Sequence, residues 1–326
     1  MRSFVTGTGS YAPVKVLTNK DLEKMVDTND EWIVERTGIR ERRVAAPEEA
    51  TSDLAYEASV RALEMAKVRA EDLDLIVLGT VTADMTFPSA ATSLQGRLHN
   101  KKAFAFDLAA ACSGSLYALA VADRFVVTGH SKKALVVGSE ILTRITNWKD
   151  RNTCILFGDG AGAMVVEPTS DPNRGLLSCH LHTDGSLVDI LKAPGGGSRI
   201  PISHEMIEKG LHYAYMNGRE VYKVAVRALE DCSREALAAN DMTPADVDYV
   251  IAHQANKRIL DSTLQRLGIP PSKCWMNLEK YGNTSAASVP MTLDEANRAG
   301  WLKPGDVVLM CAIGAGMAWG ASILRW

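Results

Sequence analysis

Phe106-Asp107-Leu108-Ala109-Ala110-Ala111-Cys112-Ser113-Gly114-Ser115-Leu116-Tyr117 is the stretch on which the fold turns. Its first three residues read as the end of a buried strand. After the cysteine, apolar residues at Leu116, Leu119, Ala120 and Val121 recur with helical spacing. Strand, tight turn and helix therefore follow one another, with Cys112 at the helix N-terminus. A thiol there faces the positive end of the macrodipole and several unpaired backbone N–H groups. That setting favours the thiolate, which is the nucleophilic form. The same N–H groups could hold an acyl oxyanion. The plainer alternative is a buried structural cysteine.

The pattern extends in both directions. Apolar runs at 73–78, 103–108, 134–137 and 161–166 read as strands in the first part of the chain. Runs at 247–252, 274–278, 307–312 and 318–324 do so in the second. Helical patterns cover 52–67, 115–128, 220–239 and 259–267. Such alternation predicts an α/β protein with buried sheets. The chain also repeats itself. Val60-Arg61-Ala62-Leu63-Glu64 precedes an acidic strand opening at Asp72, and Val226-Arg227-Ala228-Leu229-Glu230 precedes one at Asp246, 174 residues later. The same offset carries Cys112 to Ala286, inside Tyr281-Gly282-Asn283-Thr284-Ser285-Ala286-Ala287-Ser288. A duplicated unit is expected, with halves 1–172 and 173–326 joined by a linker at 168–175 that contains Pro168, Asp171 and Pro172.

The 326 residues carry a net charge of −3, so no global field draws the chain to nucleic acid or an anionic membrane. No apolar run is long enough to span a bilayer, and the N-terminus does not read as a signal peptide. The six cysteines are scattered without a C-x-x-C pair, which points to a reducing cytoplasm and to neither disulfides nor zinc.

If equivalent strand ends meet at a pseudo-twofold centre, Cys112 faces Asn283. His253, in His253-Gln254-Ala255-Asn256, ends the strand that opens the second repeat, and strand carboxyl ends are where α/β sheets build sites. Taken alone, a histidine is more often a satisfied core or surface residue, and a Gly-Asn pair more often a turn. Gly314–Gly320 does not fit a phosphate loop; it reads as close backbone approach to a ligand or core.

These segments, with Phe157-Gly158-Asp159-Gly160-Ala161-Gly162-Ala163 and the N-terminal Thr28, Asp30-Glu31-Trp32-Ile33 and Arg36-Thr37-Gly38-Ile39, occur in order along essentially the whole chain. Together they resemble the ketoacyl-acyl-carrier-protein synthase III family of the thiolase-like superfamily. The resemblance implies a thiolase fold in five layers, α-β-α-β-α, and a homodimer. It implies the initiating condensation of fatty acid synthesis, in which an acyl-coenzyme A starter, acetyl-CoA foremost, loads Cys112 and then meets malonyl-acyl carrier protein. His253 and Asn283 would complete the catalytic trio, with the backbone N–H groups of Cys112 and Ala315 as oxyanion donors. No metal or redox cofactor is implied. By family position Thr28, Trp32 and Arg151 clamp adenine, Arg36 and Arg258 meet phosphates, and Gly218 and Asn256 lie near the pantetheine arm. Phe87, Phe157, Ile313 and Met317 would shape the acyl pocket, Phe87 from the neighbouring subunit. Ile313 stands where many members of the family carry Phe, and Met317 where Phe or Leu is usual, which leaves the starter's chain length and branching open.

Arg219, Lys223 and Arg227 fall at i, i+4 and i+8 on one side of a helix. With Lys257, Arg258 and Arg266 they could form a basic patch for an acidic carrier protein, or a merely solvated face. The order Cys, His, Asn also occurs in cysteine hydrolases, but their local signature is absent. An acyltransferase or condensing enzyme of specialised metabolism is the nearer alternative.

Overall fold

Two large sheets form, one from each half of the computed structural model, which describes all 326 residues. The first contains β1 (Arg2–Tyr11), β2 (Leu75–Gly79), β3 (Phe104–Leu108), β4 (Ala134–Glu140) and β5 (Gly160–Thr169), in the order β1-β5-β4-β2-β3. The second contains β6 (Gly175–Thr183), β7 (Tyr249–Ala252), β8 (Val307–Gly314) and β9 (Ala318–Arg325), in the order β6-β9-β8-β7. Directions match as well. β1 and β4 run antiparallel to β5, and β4, β2 and β3 are mutually parallel. β6 and β8 run antiparallel to β9, and β8 is parallel to β7. The long-range echo in the sequence is thus an echo in topology.

The helices of eight residues or more are α1 (Asp30–Thr37), α2 (Thr51–Ala66), α3 (Ala90–Arg97), α4 (Gly114–Val127), α5 (Gly218–Ala238), α6 (Lys257–Leu267) and α7 (Ser288–Arg298). α4 and α7 lie between the sheets and touch both. α4 is apolar nearly all round, with Leu116, Ala118, Leu119, Ala122 and Val126 buried, as a helix packed on two sides requires. α2 and α3 cover the outer face of the first sheet; α5 covers that of the second, and α6 packs against α5. α5 buries one stripe, including Ala225, Leu229, Cys232 and Ala236, and leaves its other face to solvent. The layers are α-β-α-β-α, the thiolase arrangement.

Three sequence expectations change. The run 274–278 is not a strand. Cys274 makes one isolated parallel bridge to Val250, in the place β3 holds in the first sheet. Pro270 and Pro271 impose a 3-10 turn just before it, and a short helix opens at Leu278 just after. The linker is shorter than 168–175, because Pro168 still belongs to β5 and pairs with Ser3. β6 carries no continuous apolar run in the sequence, because its residues 177–182 are only half-buried. Residues 184–217 between β6 and α5 also form a separate excursion, with a two-residue strand pair, Leu191–Lys192 and Tyr215–Met216.

α4 and α7 are entered through matching 3-10 turns, Ala111–Ser113 and Ser285–Ala287. Each turn holds one non-glycine residue in the left-handed region, Ala111 at φ 45° and Ser285 at φ 50°. Such residues cost about 1–3 kcal/mol each and persist where their surroundings over-determine them. Here the two turns pack against each other. A Cβ on Gly138 of β4 would stand 2.0 Å from the Ala286 carbonyl oxygen, so only glycine lets the turn of the second half seat on the sheet of the first.

Candidate active site

The two turns meet at the floor of a cavity of about 980 Å³ whose walls include Cys112, His253 and Asn283. Each arrives on a different element. Cys112 sits in the turn before α4, and Ser113 Oγ donates to the Ala318 carbonyl at 2.7 Å, tying that turn to the β8–β9 hairpin. Behind it, a Cβ on Gly314 would stand 2.4 Å from the Cys112 backbone nitrogen. Gly314→Ala must therefore push the hairpin off the cysteine turn. We expect it to lower stability by about 1–3 kcal/mol, read as a fall in Tm, and to slow modification of Cys112. Ala315 does not line the cavity; it is Gly314 that backs onto the cysteine.

His253 follows β7, and its backbone N–H donates to the Cys311 carbonyl at 2.8 Å. Gln254 locks the next turn by donating to the Ala252 and Trp275 carbonyls. Burial takes the imidazole from 6.5 down to about 3, so it is neutral. Its Nδ1 is buried without a partner. An N–H pointed at nothing costs more than an idle acceptor, so the neutral ring carries its proton on Nε2.

Asn283 is clamped through its backbone. Its N–H donates to the Leu156 carbonyl at 2.8 Å, and its carbonyl accepts from Gly158 at 3.0 Å. Its Oδ1 accepts the Ser285 backbone N–H at 2.9 Å. That bond fixes which end of the amide is oxygen, so the NH₂ remains as a free donor.

The expected thiolate of Cys112 is not the resting state. Burial, joined by the nearby Glu140 carboxylate, pushes the thiol up to about 12 against weaker opposing hydrogen bonds from Ser285 and its own N–H. Desolvation of the sulfur is the largest cause of this rise.

Phe157, Ile313 and Met317 line the same cavity and are buried. Phe87 does not: its side chain is 82% exposed on the outside of the chain. At the mouth, Trp32, Arg36, Gly218, Asn256 and Arg258 line the opening. The Arg36 and Arg151 guanidiniums lie 4.5 and 4.8 Å from the Trp32 ring centroid, and Arg151 also donates to the Asp27 carbonyl. A flat ligand could stack on the indole only by lifting one arginine away. Thr28 and Arg151 lie outside the lining, and the Thr28 hydroxyl is buried without a partner. Asn256 is already engaged, capping α6 through Arg258 N–H and donating to the Arg36 carbonyl.

The basic residues do not form one unopposed patch. Lys223 pairs with Glu220, Arg227 with Asp231, Lys257 with Asp261 and Arg266 with Glu230. Helical i, i+3 and i, i+4 spacing supplies three of these acidic partners, a signal the lysine and arginine positions alone conceal. Arg219, Lys223 and Arg258 reach the cavity mouth, whereas Arg227, Lys257 and Arg266 do not. Sequence reasoning missed Glu140 and Ser285, which stand directly behind Cys112. The legible signal was Gly138-Ser139-Glu140, an acid ending a wholly buried strand. A second depression of about 740 Å³, bordered by Leu17, Val44, Pro47 and Trp148, contains none of these residues. All six cysteines are free thiols, and no helix is long and apolar enough to cross a membrane.

A five-layer duplicated α/β fold whose central turns bring a cysteine, a neutral imidazole and a free amide donor to one cavity defines an acyl-transferring condensing enzyme of the thiolase-like class. Residues 106–185 match the family 3-oxoacyl-(acyl-carrier-protein) synthase III, and residues 237–326 match its C-terminal family. The beta-ketoacyl-acyl-carrier-protein synthase III of Caldanaerobacter subterraneus subsp. tengcongensis is 53% identical over 322 residues, 99% of this chain and 97% of that protein. That of Xanthomonas campestris pv. campestris is 50% identical over 324 residues, 99% and 98% of the two chains. The crystal structure of the Aquifex aeolicus 3-oxoacyl-acyl-carrier-protein synthase III superposes with a TM-score of 0.93 at 46% identity, covering 99% of this chain and 100% of that one. The chain belongs to the beta-ketoacyl-acyl-carrier-protein synthase III family, the initiating condensing enzymes of fatty acid synthesis.

Proposed function

We propose that Cys112 accepts an acyl group from acyl-coenzyme A, acetyl-CoA being the expected starter, and that the acyl-enzyme condenses with malonyl-acyl carrier protein to a 3-oxoacyl product. The observation that carries this is the shared cavity of about 980 Å³ lined by Cys112, His253 and Asn283. The sulfur attacks the thioester carbonyl, coenzyme A leaves as its thiol, and a Cys112 thioester remains. Malonyl thioester then loses carbon dioxide, and the electrons left behind collect on its thioester oxygen. His253 Nε2–H and the Asn283 amide supply two neutral donors to that oxygen without transferring a proton. The carbanion attacks the acyl-Cys carbonyl, whose oxyanion rests on the Cys112 backbone N–H. The thioester itself acidifies the carbon, so the scheme needs neither metal nor redox cofactor.

The nucleotide end is assigned to Thr28, Trp32, Arg36, Arg151 and Arg258, and the pantetheine arm to the passage beside Gly218 and Asn256. Trp32→Ala should raise KM for acyl-CoA up to about tenfold, the scale of one aromatic–cation contact. Turnover of an acyl-pantetheine lacking the nucleotide should be unchanged; steady-state kinetics with both donors checks this. Arg219, Lys223 and Arg258 at the mouth are the favoured docking cations for the carrier, with Arg227, Lys257 and Arg266 peripheral.

Two copies are expected to pair, with Phe87 of each closing the acyl pocket of the other. Val81, Met85 and Phe87 leave an apolar segment outside the single chain, which supports this. The halves 1–172 and 173–326 would then be paired units of a cytoplasmic enzyme. Intact-mass measurement after incubation with a panel of acyl-CoA thioesters tests the central reading and reports the preferred chain. A chain that acquires no acyl mass from any donor would refute it. The specialised-metabolism alternative is not favoured, because relatives at about half identity over nearly the full length share the family's primary name.

A further inference from the structure

Arg42 lies on Glu41–Val44, which pairs antiparallel with Lys15–Thr18 in a small two-stranded ribbon. Its side chain is fully buried. All of its hydrogen bonds go to neutral oxygens. Nη1 donates to the Leu17 carbonyl at 3.1 Å and to Asn19 Oδ1 at 2.9 Å. Nη2 donates to the same Oδ1 at 3.0 Å and to the Ile155 carbonyl at 2.9 Å. Burial lowers the guanidinium only to about 10, so it is charged at neutral pH. A buried charge without a counter-ion is expensive, and an apolar side chain would fill the same space at less cost. What an apolar side chain lacks is a planar fork that grips several acceptors at once. Asn19 is itself fixed, its Nδ2 donating to the Asp30 carboxylate and the Ile39 carbonyl, both at 2.8 Å. The cation is thus anchored in the N-terminal arm on one side and holds Ile155 on the other.

Ile155 opens the segment that clamps Asn283. The Leu156 carbonyl accepts the Asn283 N–H, the Gly158 N–H donates to the Asn283 carbonyl, and Phe157 and Asn283 form a parallel bridge between them. The Arg42 stem backs both strands of that clamp. A Cβ on Gly158 would stand 3.0 Å from the Arg42 Cβ, and one on Gly282 would stand 3.4 Å from it. Arg42 itself stays outside the cavity, whereas Ile155, Leu156, Phe157 and Asn283 line it. We propose that Arg42 is a positioning residue: its guanidinium holds residues 155–158, and through them the Asn283 amide, where the malonyl thioester oxygen gathers charge. The inference rests on Asn283 being a donor to that oxygen. Cys112 and His253 are carried by other elements, the turn before α4 and the end of β7, so a slack clamp displaces the amide and leaves the sulfur in place. Misplacing a reacting or stabilising group by about 1 Å can cost about a hundredfold in rate.

The test measures both half-reactions separately in the full-length enzyme. Cys112 acylation by an acyl-CoA that loads the wild type is followed by intact mass, and carbon dioxide release from malonyl-acyl carrier protein by steady-state kinetics. Arg42→Met, which fills a similar volume, should lower kcat for decarboxylation about ten- to a hundredfold, with KM and the acylation rate within about twofold of wild type. Arg42→Lys keeps the charge and the stem but not the fork, and should fall between wild type and Arg42→Met, at least about threefold down. It carries the test alone if Arg42→Met does not fold. Asn283→Ala should decarboxylate about a hundred- to a thousandfold more slowly. Adding Arg42→Met to it should cost less than about threefold more, because the group through which Arg42 acts is already gone. A merely structural role would instead slow both half-reactions alike and multiply the losses in the double variant. Either of those results, or wild-type decarboxylation by a folded Arg42→Met or Arg42→Lys, would overturn the positioning role alone. Wild-type decarboxylation by Asn283→Ala would remove Asn283 as a donor and the inference with it.

Discussion

Cys112→Ala is expected to eliminate the acyl-enzyme and to reduce condensation at least about 10⁴-fold, the scale on which removing a covalent nucleophile acts. Thiol acidity does not single this residue out. Burial raises Cys154 to about 11 and Cys179, Cys274 and Cys311 to about 12, the same range as Cys112. Position does: Cys112 alone of the six lines the cavity. Acyl mass gained by wild type should thus map to the peptide containing Cys112, and an alkylating agent that enters the cavity should compete with it. The alanine variant leaves His253 and Asn283 in place, so slow decarboxylation of malonyl carrier should persist without product. Normal condensation by Cys112→Ala, or acyl mass on another cysteine, would refute the assignment.

The same contrast explains what the sequence could disclose. The turn at Cys112, the helices on either side of it and the repeat at Ala286 were legible because local pattern and covalent order encode them. Both turns proved equivalent down to the left-handed residue before each helix, Ala111 and Ser285. The protonation of Cys112 was not legible. A helix terminus is a local feature, whereas the burial that raises the thiol is set by the whole fold, including the turn of the second half that carries Ser285, 173 residues away in the chain. Glu140 stayed hidden for the same reason, since its partner Ser285 lies 145 residues on. The basic residues illustrate a different limit: their sign and spacing are plain in the sequence, but Glu220, Asp231 and Asp261 on the same helices pair with Lys223, Arg227 and Lys257. The strand expected at 274–278 failed because two prolines before it outweighed its apolar content.

His253→Ala should still acquire acyl mass from acyl-CoA yet condense about a hundred- to a thousandfold more slowly, the loss expected for one oxyanion donor. In the proposed scheme the imidazole is a neutral donor, so a side chain with an N–H but no basic nitrogen should rescue part of the rate. His253→Gln is that variant, and its advantage over alanine separates hydrogen bonding from proton transfer. The pH dependence points the same way. The folded-state value of about 3 lies below the ordinary 6.5, so the unfolded chain binds the extra proton between them. The stability that goes with a neutral buried His253 is complete above 6.5 and is lost as the pH falls toward 3. Denaturant midpoints should therefore decline on acidification through that window in wild type, and less steeply in His253→Gln. Malonyl decarboxylation should show no limb from this imidazole above 6.5. A variant that fails at self-acylation instead, while decarboxylating malonyl carrier normally, would move His253 to the first half-reaction and leave Asn283 as the sole side-chain donor in the second.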